Sequence, residues 1–329
     1  MNQLTVLSPR PFQVSQRHCR ETGRVLVSGR VDGACEQLQV RFSGASGFGE
    51  LPQGWQTVAH CPRSGNFNAT FDLPAGGWYA LEAQALSAGQ AVAAATVAQF
   101  GVGEVFATAG QSNSTNCGEF PIKQYSGMVS SFGGTHWQIA DDPQPGCHDQ
   151  TGGGSPWPAF GDALYAILGV PIGIAATGHG GTSVNQWLPE DELGVYPWMM
   201  TRLWQLGPQG FRAMLWHQGE SDVMMPAQEY VDKLTRIIRL SQQEAGWAFH
   251  WCVAKVSYHN VENPRWESMR AAHQQLWDEG VAMPGPDTDT LVGDHRDFDG
   301  TGIHFSPKGL KAHGELWAEL MAAYLERAL

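Results

Sequence analysis

The chain is poor in charge, and poorest in positive charge. Only 16% of its 329 residues are charged, and 20 Lys and Arg stand against 32 Asp and Glu, a formal charge of −12. That balance excludes a basic nucleic-acid binder, and with 42% apolar residues the chain is neither a disordered acidic segment nor a coiled coil. It lacks any apolar run of ~20 residues. Its greasiest segments, Val170 to Ala176 and Phe249 to Val256, have the length of buried strands, so no membrane span is expected. No basic segment followed by an apolar core opens the chain at Met1, Asn2, Gln3, Leu4 and Thr5, so no signal peptide is visible. A cytoplasmic chain would begin so, as would a secreted or periplasmic one after loss of its leader. Internal repeats and low-complexity tracts are missing too. The six cysteines (Cys19, Cys35, Cys61, Cys117, Cys147, Cys252) form no CxxC pair and show no metal-ligand spacing. Their even number permits disulfides, and buried free thiols are the equal alternative.

Glycine (40) and tryptophan (13) are plentiful. The glycines imply many tight turns and close backbone approaches. The tryptophans suit sugar-stacking surfaces, but most are expected in the core.

The first hundred residues read as an all-β module. Short β-branched or alternating runs (Arg24 to Val31, Gln37 to Phe42, Phe67 to Leu73, Trp78 to Leu86, Ala91 to Phe100) are punctuated by Gly, Pro, Ser and Asn, and five such strands make a small sandwich. After Gly103 the texture changes. Strands are expected at Val105 to Ala109, Pro171 to Ala176, Arg212 to His217 and Phe249 to Val256. Helices are expected at Pro158 to Leu168, Trp198 to Gln205, Gln228 to Ala245, Pro264 to Trp277 and from Pro307, with Ser306 as N-cap, to about Arg327. Alternating strands and helices make an open parallel sheet covered on both faces, with chemistry at the carboxyl ends of the strands. Two domains follow, residues 1–102 and 103–329.

Polar motifs stand at three of those strand ends. Gly110-Gln111-Ser112-Asn113 places a serine in a tight turn, hydroxyl exposed and backbone N–H free to act as an oxyanion donor. His179-Gly180-Gly181-Thr182-Ser183, with Trp187, supplies paired glycines that let a backbone N–H approach a ligand. In Trp216-His217-Gln218-Gly219-Glu220-Ser221-Asp222, clustered polar groups ending an apolar strand are expected to line a wet cleft; Gln218 offers an amide and Glu220 a carboxylate. Late in the chain, Asp299-Gly300-Thr301-Gly302-Ile303-His304-Phe305 holds a histidine just before the final helix, placed to reach back as a general base. The run Asp294 to Gly300 resembles a calcium loop only in part, because the full EF-hand pattern is absent, and a solvated acidic loop is preferred.

Taken in order, these motifs resemble the SGNH hydrolase superfamily and, more narrowly, the sialate O-acetylesterase-like carbohydrate esterases, which include acetylxylan esterases. The similarity runs from about Gly103 to the C-terminus. It implies a flavodoxin-like three-layer α/β/α catalytic domain with a parallel sheet, preceded by a small all-β sandwich, Ig-like or jelly-roll-like. It further implies a serine esterase that removes O-acetyl groups from a carbohydrate through an acyl-enzyme, without metal or other cofactor. The substrate would be acetylated xylan, another hemicellulose or O-acetylated sialic acid, with no nucleic-acid or membrane partner. Ser112 would be the nucleophile and His304 the base, with the oxyanion held by the N–H of Ser112, that of Gly181 or Gly180, and the amide of Gln218. Asn113 and Trp187 would contact substrate. Members usually carry an aspartate three residues before the histidine, where this chain has Thr301. Glu220 is then the expected acid by similarity to acetylxylan esterases, Asp299 and Asp297 are alternatives, and a Ser-His dyad is the remaining one. The missing aspartate also leaves open a non-catalytic glycan-binding protein on this fold. A lipase or thioesterase acting on non-sugar esters is a third reading.

Overall fold

The computed structural model describes residues 3–33, 35–60 and 65–329. Its first part holds β1 (Gln3–Ser8), β2 (Gln13–Gln16), β3 (Thr22–Asp32), β4 (Gln37–Ser43), β5 (Gln56–His60), β6 (Gly65–Pro74), β7 (Gly76–Ser87) and β8 (Gln90–Gly110). Antiparallel β1-β3-β6 makes one sheet, and β5-β4-β7-β8 runs antiparallel in the second. In β3, Val25, Val27 and Val31 are buried while Arg24, Leu26 and Arg30 face outward. This two-residue period is what seats one sheet on the other as a sandwich.

The strand β8 does not stop at the expected boundary. As far as Val102 it pairs with β7, and from Glu104 it pairs in parallel with β11 (Ile172–Ala176). Between them in the chain lie β9 (Val129–Phe132), β10 (Trp137–Ile139) and the helix α1 (Trp157–Leu168). Then follow α2 (Val195–Leu206), β12 (Ala213–His217), α3 (Ala227–Ala245), β13 (His250–Lys255), α4 (Glu267–Asp278), β14 (Met283–Asp287) and α5 (Pro307–Ala328). The order β11-β8-β12-β13-β14 is the 2-1-3-4-5 of flavodoxin-like sheets, extended beyond β11 by parallel β9 and antiparallel β10. Helices α1 and α5 pack together over one face, while α2, α3 and α4 cover the other. Alternate residues of β8 serve the two: Phe106 lies in the core under α1 and α5, Val105, Ala107 and Ala109 in the opposite core. Chain order reverses direction at β8, so the switch point falls between β8 and β12, next to Ser112.

The expected helices and strands of the second part form within a few residues of their expected ends, and Ser306 caps α5 by accepting the Gly309 N–H. Strands β9, β10 and β14 were not foreseen. Met283-Pro-Gly-Pro-Asp carries two prolines that argue against a strand, but β14 lies at the edge, where a missing N–H is tolerated. Most tryptophans serve the core, with Trp157, Trp187, Trp216, Trp251 and Trp317 fully buried. Cys19, Cys117, Cys147 and Cys252 carry no disulfide, and Cys61 lies outside the described residues. Among the described residues no helix is long and apolar enough to cross a membrane, and no cluster of His, Cys, Asp and Glu is arranged to hold a metal ion.

One buried carboxylate knits the base of the parallel sheet. Glu104 within β8 accepts from Arg17 Nε at 2.6 Å, Arg212 Nε at 2.8 Å and Gln16 Nε2 at 2.8 Å, so the end of β2 and the approach to β12 converge on it. Removing one side of a buried charge network strands the other side. We expect Glu104→Ala to cost about 3–5 kcal/mol, read as a lowered midpoint in urea unfolding.

Candidate active site

The turn after β8 is set by backbone contacts. Gly110 has φ 129°, and a Cβ there would lie 2.1 Å from the carbonyl oxygen of His217, so only glycine lets β8 end this close to β12. The next residue, Gln111, donates its N–H to that same carbonyl at 3.0 Å. Its side-chain Oε1 accepts the Ser221 N–H at 3.1 Å, which fastens the turn to the loop after β12. Ser112 then opens a single 3-10 turn, Ser112–Ser114, with its hydroxyl residue 6% exposed.

Beside Ser112 runs the glycine loop after β11. A Cβ on Gly180 would lie 3.6 Å from Ser112 Cβ and 3.2 Å from both Asp149 Oδ2 and Cys117 Sγ. The Gly180 N–H is already taken by Asp149 Oδ2 at 2.6 Å. The N–H groups of Ser112 and Gly181 find no acceptor among the described residues, and Gly181 is exposed with φ 72°. Two backbone donors at neighbouring strand ends are what an oxyanion site requires.

The histidine loop folds back on its own acid. His304 Nδ1 lies 3.5 Å from Asp297 Oδ2, and the Asp297 carboxylate is buried. The pair is further tied by His304 N–H to Asp297 Oδ1 at 3.1 Å and by Asp297 N–H to the His304 carbonyl at 3.0 Å. Burial holds the His304 imidazole below its ordinary 6.5, while Asp297 pulls it back up. A Cβ on Gly302 would fall 1.8 Å from Asp297 Oδ1, so the carboxylate occupies the space that a side chain would need.

The loop also touches the serine turn. Asn113 Nδ2 donates to the Ile303 carbonyl at 3.2 Å, so the neighbours of Ser112 and His304 are hydrogen-bonded to each other. The same Nδ2 donates to Glu220 Oε1 at 2.8 Å.

Five expected roles do not match this geometry. Glu220 is buried against Asn113 and has no contact with His304; its nearest ring is that of His217, whose Nδ1 is 3.8 Å from Oε1. With Oε2 unpartnered, desolvation raises its pKa to about 7. His217 is held neutral by burial, down to about 3, so the two do not form an ion pair. Of the alternative acids, Asp299 is exposed and Asp297 is the one beside His304. Gln218 is fully buried, and its amide hydrogens are spent on Asp222 Oδ2 (2.5 Å), the Thr182 carbonyl (3.1 Å) and Gln111 Oε1 (3.2 Å), leaving none for an oxyanion. Trp187 lies in the core edge-on to Trp216, and Asn113 is buried in the junction just described, so neither faces a substrate. The glycan-binding reading loses its motive once a carboxylate stands next to His304.

The matching family is described as "Carbohydrate esterase, sialic acid-specific acetylesterase", and it covers residues 102–323. The chain belongs to this family. Among solved structures, a carbohydrate acetylesterase from Xanthomonas citri is similar at TM-score 0.60 and 20% identity, over 98% of this chain and 75% of that one. A protein from Arabidopsis thaliana is similar at TM-score 0.53 and 20% identity, over 69% of this chain and 99% of that one. No curated protein matches the chain. These likenesses at 20% identity bear on the fold alone, and the family places the chain among carboxylic ester hydrolases of acetylated carbohydrates.

Around this candidate site stand residues that motif reading passed over. Asp149 and His148 come from the long loop after β10, which carries no readable code. His148 Nδ1 meets His179 Nδ1 at 2.6 Å and stands edge-on to Trp198. Arg296, buried one residue before Asp297, donates to the Ile303, Leu291 and Thr288 carbonyls. The carboxylate beside His304 was not the first choice because it precedes the histidine by seven positions rather than three.

Two paired variants separate the carboxylates. Asp297→Asn in the esterase should lower kcat by ~10²–10⁴, as when a triad carboxylate becomes an amide. It should also move the acid limb of the kcat/KM profile to lower pH, because the anion that raises the His304 pKa is gone. Glu220→Gln keeps an acceptor for Asn113 and should cost far less in kcat. Its signature is in stability: the folded carboxyl holds its proton up to about pH 7 against 4.5 ordinarily, so the folded state binds more protons in that window. Wild-type stability therefore loses ground as pH rises from 4.5 to 7, and the variant, unable to ionise, should gain in Tm relative to it across that range. A larger kcat loss for Glu220→Gln than for Asp297→Asn would return Glu220 to the acid's role.

Proposed function

We propose that the esterase removes O-acetyl groups from a neutral glycan such as acetylated hemicellulose, through a Ser112 acyl-enzyme. The observation that carries this reading is the Asp297–His304 pair on a loop hydrogen-bonded, through Ile303 and Asn113, to the turn of Ser112. Asp297 holds Nδ1, which leaves His304 Nε2 to take the Ser112 proton as Oγ attacks the acetyl carbonyl. The oxyanion formed is met by the N–H groups of Ser112 and Gly181. The carbon–oxygen bond to the sugar then breaks, and His304 returns the proton to the departing hydroxyl. Water, deprotonated by His304, attacks the acetyl-serine; acetate leaves and Ser112 recovers its proton.

Two features favour a small acyl group and a neutral sugar. The loop at Gly180 crowds the serine, since a Cβ there would already stand 3.6 Å from Ser112 Cβ, and that crowding suits acetyl better than a longer chain. The chain carries a formal −12, and Asp149, Asp297 and Asp299 stand on loops around Ser112 and His304, so the carboxylate of a sialic acid would meet repulsion.

Acetate release should be measured on acetylated xylan, other acetylated hemicelluloses and O-acetylated sialic acid, alongside chromogenic acetate and butyrate esters. The expected outcome is release from the neutral polymers, acetate preferred over butyrate, and loss of kcat by several orders of magnitude in Ser112→Ala with an unchanged Tm. A Ser112→Ala variant within about tenfold of wild type would remove Ser112 from the mechanism, and a preference for sialic acid or for butyrate would overturn the substrate reading.

A further inference from the structure

Between the acid and the histidine the chain does something costly. Phe298 and Asp299 both have left-handed backbones, φ 50° and 55°, followed by Gly300 at φ 87°. A bulky residue in that region is a true outlier, since Cβ crowds the backbone. Glycine would fit Phe298's place without strain, as it does two positions later. Phe298 also leaves its ring in water, 71% exposed, so the strained backbone gains no core burial in return. Strain and exposure without an internal benefit, next to a candidate acid, point to an external one.

The ring's position narrows what that is. Phe298 Cδ2 and Asp297 Oδ1 both border the space over Gly302, at 2.8 Å and 1.8 Å from where its Cβ would be. The phenyl therefore stands at the surface edge of the Asp297–His304 pair. Resting on the acyl-transfer reading above, the group next to His304 when the acetyl ester breaks is the sugar whose hydroxyl receives the proton. Of the other exposed aromatics, Trp198 and Trp204 lie on α2, and Phe120 and Tyr125 sit on loops without a left-handed backbone.

We propose that Phe298 is a specificity-determining residue: its exposed face is a platform on which the apolar face of the leaving pyranose stacks, which orients the acetylated hydroxyl toward His304. An aromatic face against the C–H groups of a sugar suits a neutral glycan and gives little to a small alkyl acetate, whose leaving alcohol has no ring face to stack.

The test compares Phe298→Ala, Phe298→Gly and Phe298→Trp with wild type on an acetylated oligosaccharide and on ethyl acetate. Both ring deletions should raise KM for the oligosaccharide by about tenfold, a loss at least fivefold greater than any change on the small ester. Phe298→Trp should restore the oligosaccharide KM. The glycine variant, free of strain, should melt no lower than wild type and so guards against a folding defect in Phe298→Ala. Equal losses on both substrates would overturn the proposal and make the ring a shield for Asp297, and unchanged oligosaccharide kinetics would overturn it outright. Should wild type cleave ethyl acetate but no acetylated glycan, the carbohydrate reading fails first, which is distinguishable from failure of the platform.

Discussion

The site depends on one carbonyl. The oxygen of Ile303 accepts from Asn113 Nδ2 at 3.2 Å and from Arg296 Nη1 at 2.8 Å. The first bond comes from the serine turn and the second from within the histidine loop, so this acceptor joins two segments that lie at opposite ends of the catalytic sequence. The loop from Leu291 to Phe305 has too little regular structure to satisfy its own buried backbone, and a buried carbonyl without a donor costs free energy comparable to a lost hydrogen bond. Arg296 answers that need with a planar fork. Its guanidinium reaches three carbonyls and lies between the faces of Tyr258 (3.8 Å) and Phe305 (4.2 Å). Burial lowers it to about 10, so it stays charged, drawn upward by Glu220, Asp289 and Asp297 nearby. A lysine, as a point charge on a flexible stem, could not make three such bonds at once.

Glu220 belongs to the same junction from the other side. It holds Asn113, and through Asn113 the Ile303 carbonyl, while remaining too far along the loop after β12 to meet His304. A buried carboxyl with one oxygen unpartnered carries a desolvation penalty, and the cation of Arg296 offsets part of it. The two residues therefore stabilise each other's charge across the Ile303 carbonyl without touching. This explains how a carboxylate next to His217 and Gln218 can matter to the site while the carboxylate that faces His304 is another residue.

The legible part of this enzyme is the part built from repeating geometry. Buried runs such as Arg212 to His217 and the helical period of α3 announce a parallel sheet with covering helices, and strand ends in such a sheet are where polar motifs become chemistry. The placing of Ser112, Gly181 and His304 on loops at neighbouring strand ends was legible for that reason. Asp297 was legible only as an alternative, because its position follows from a chain reversal through Phe298, Asp299 and Gly300, and left-handed phenylalanine has no sequence signal. Gln218 and Trp187 misled for the opposite reason. An amide at a strand end looks like a free donor until Asp222, Thr182 and Gln111 are seen to consume it.

The continuity of β8 gives the sandwich a mechanical bearing on the site without lending it a side chain. One strand carries the ladder of the second sandwich sheet and, beyond Glu104, the central position of the parallel sheet, ending at the serine turn. The salt-bridged Glu104 lies where the ladder changes partners, and Gly103 there admits the Pro171 carbonyl at 1.9 Å from where a Cβ would stand. A shift of β8 along its axis would move Gly110 against the His217 carbonyl, and the close fit there leaves no room for one. The position of Ser112 is thus set largely by main-chain contacts on both flanks of β8, whereas that of His304 leans more on side chains: Asn113, Arg296 and Asp297. The serine's place is accordingly the more tightly fixed of the two, and substitutions that spare the reacting groups should disturb catalysis most when they fall in the histidine loop.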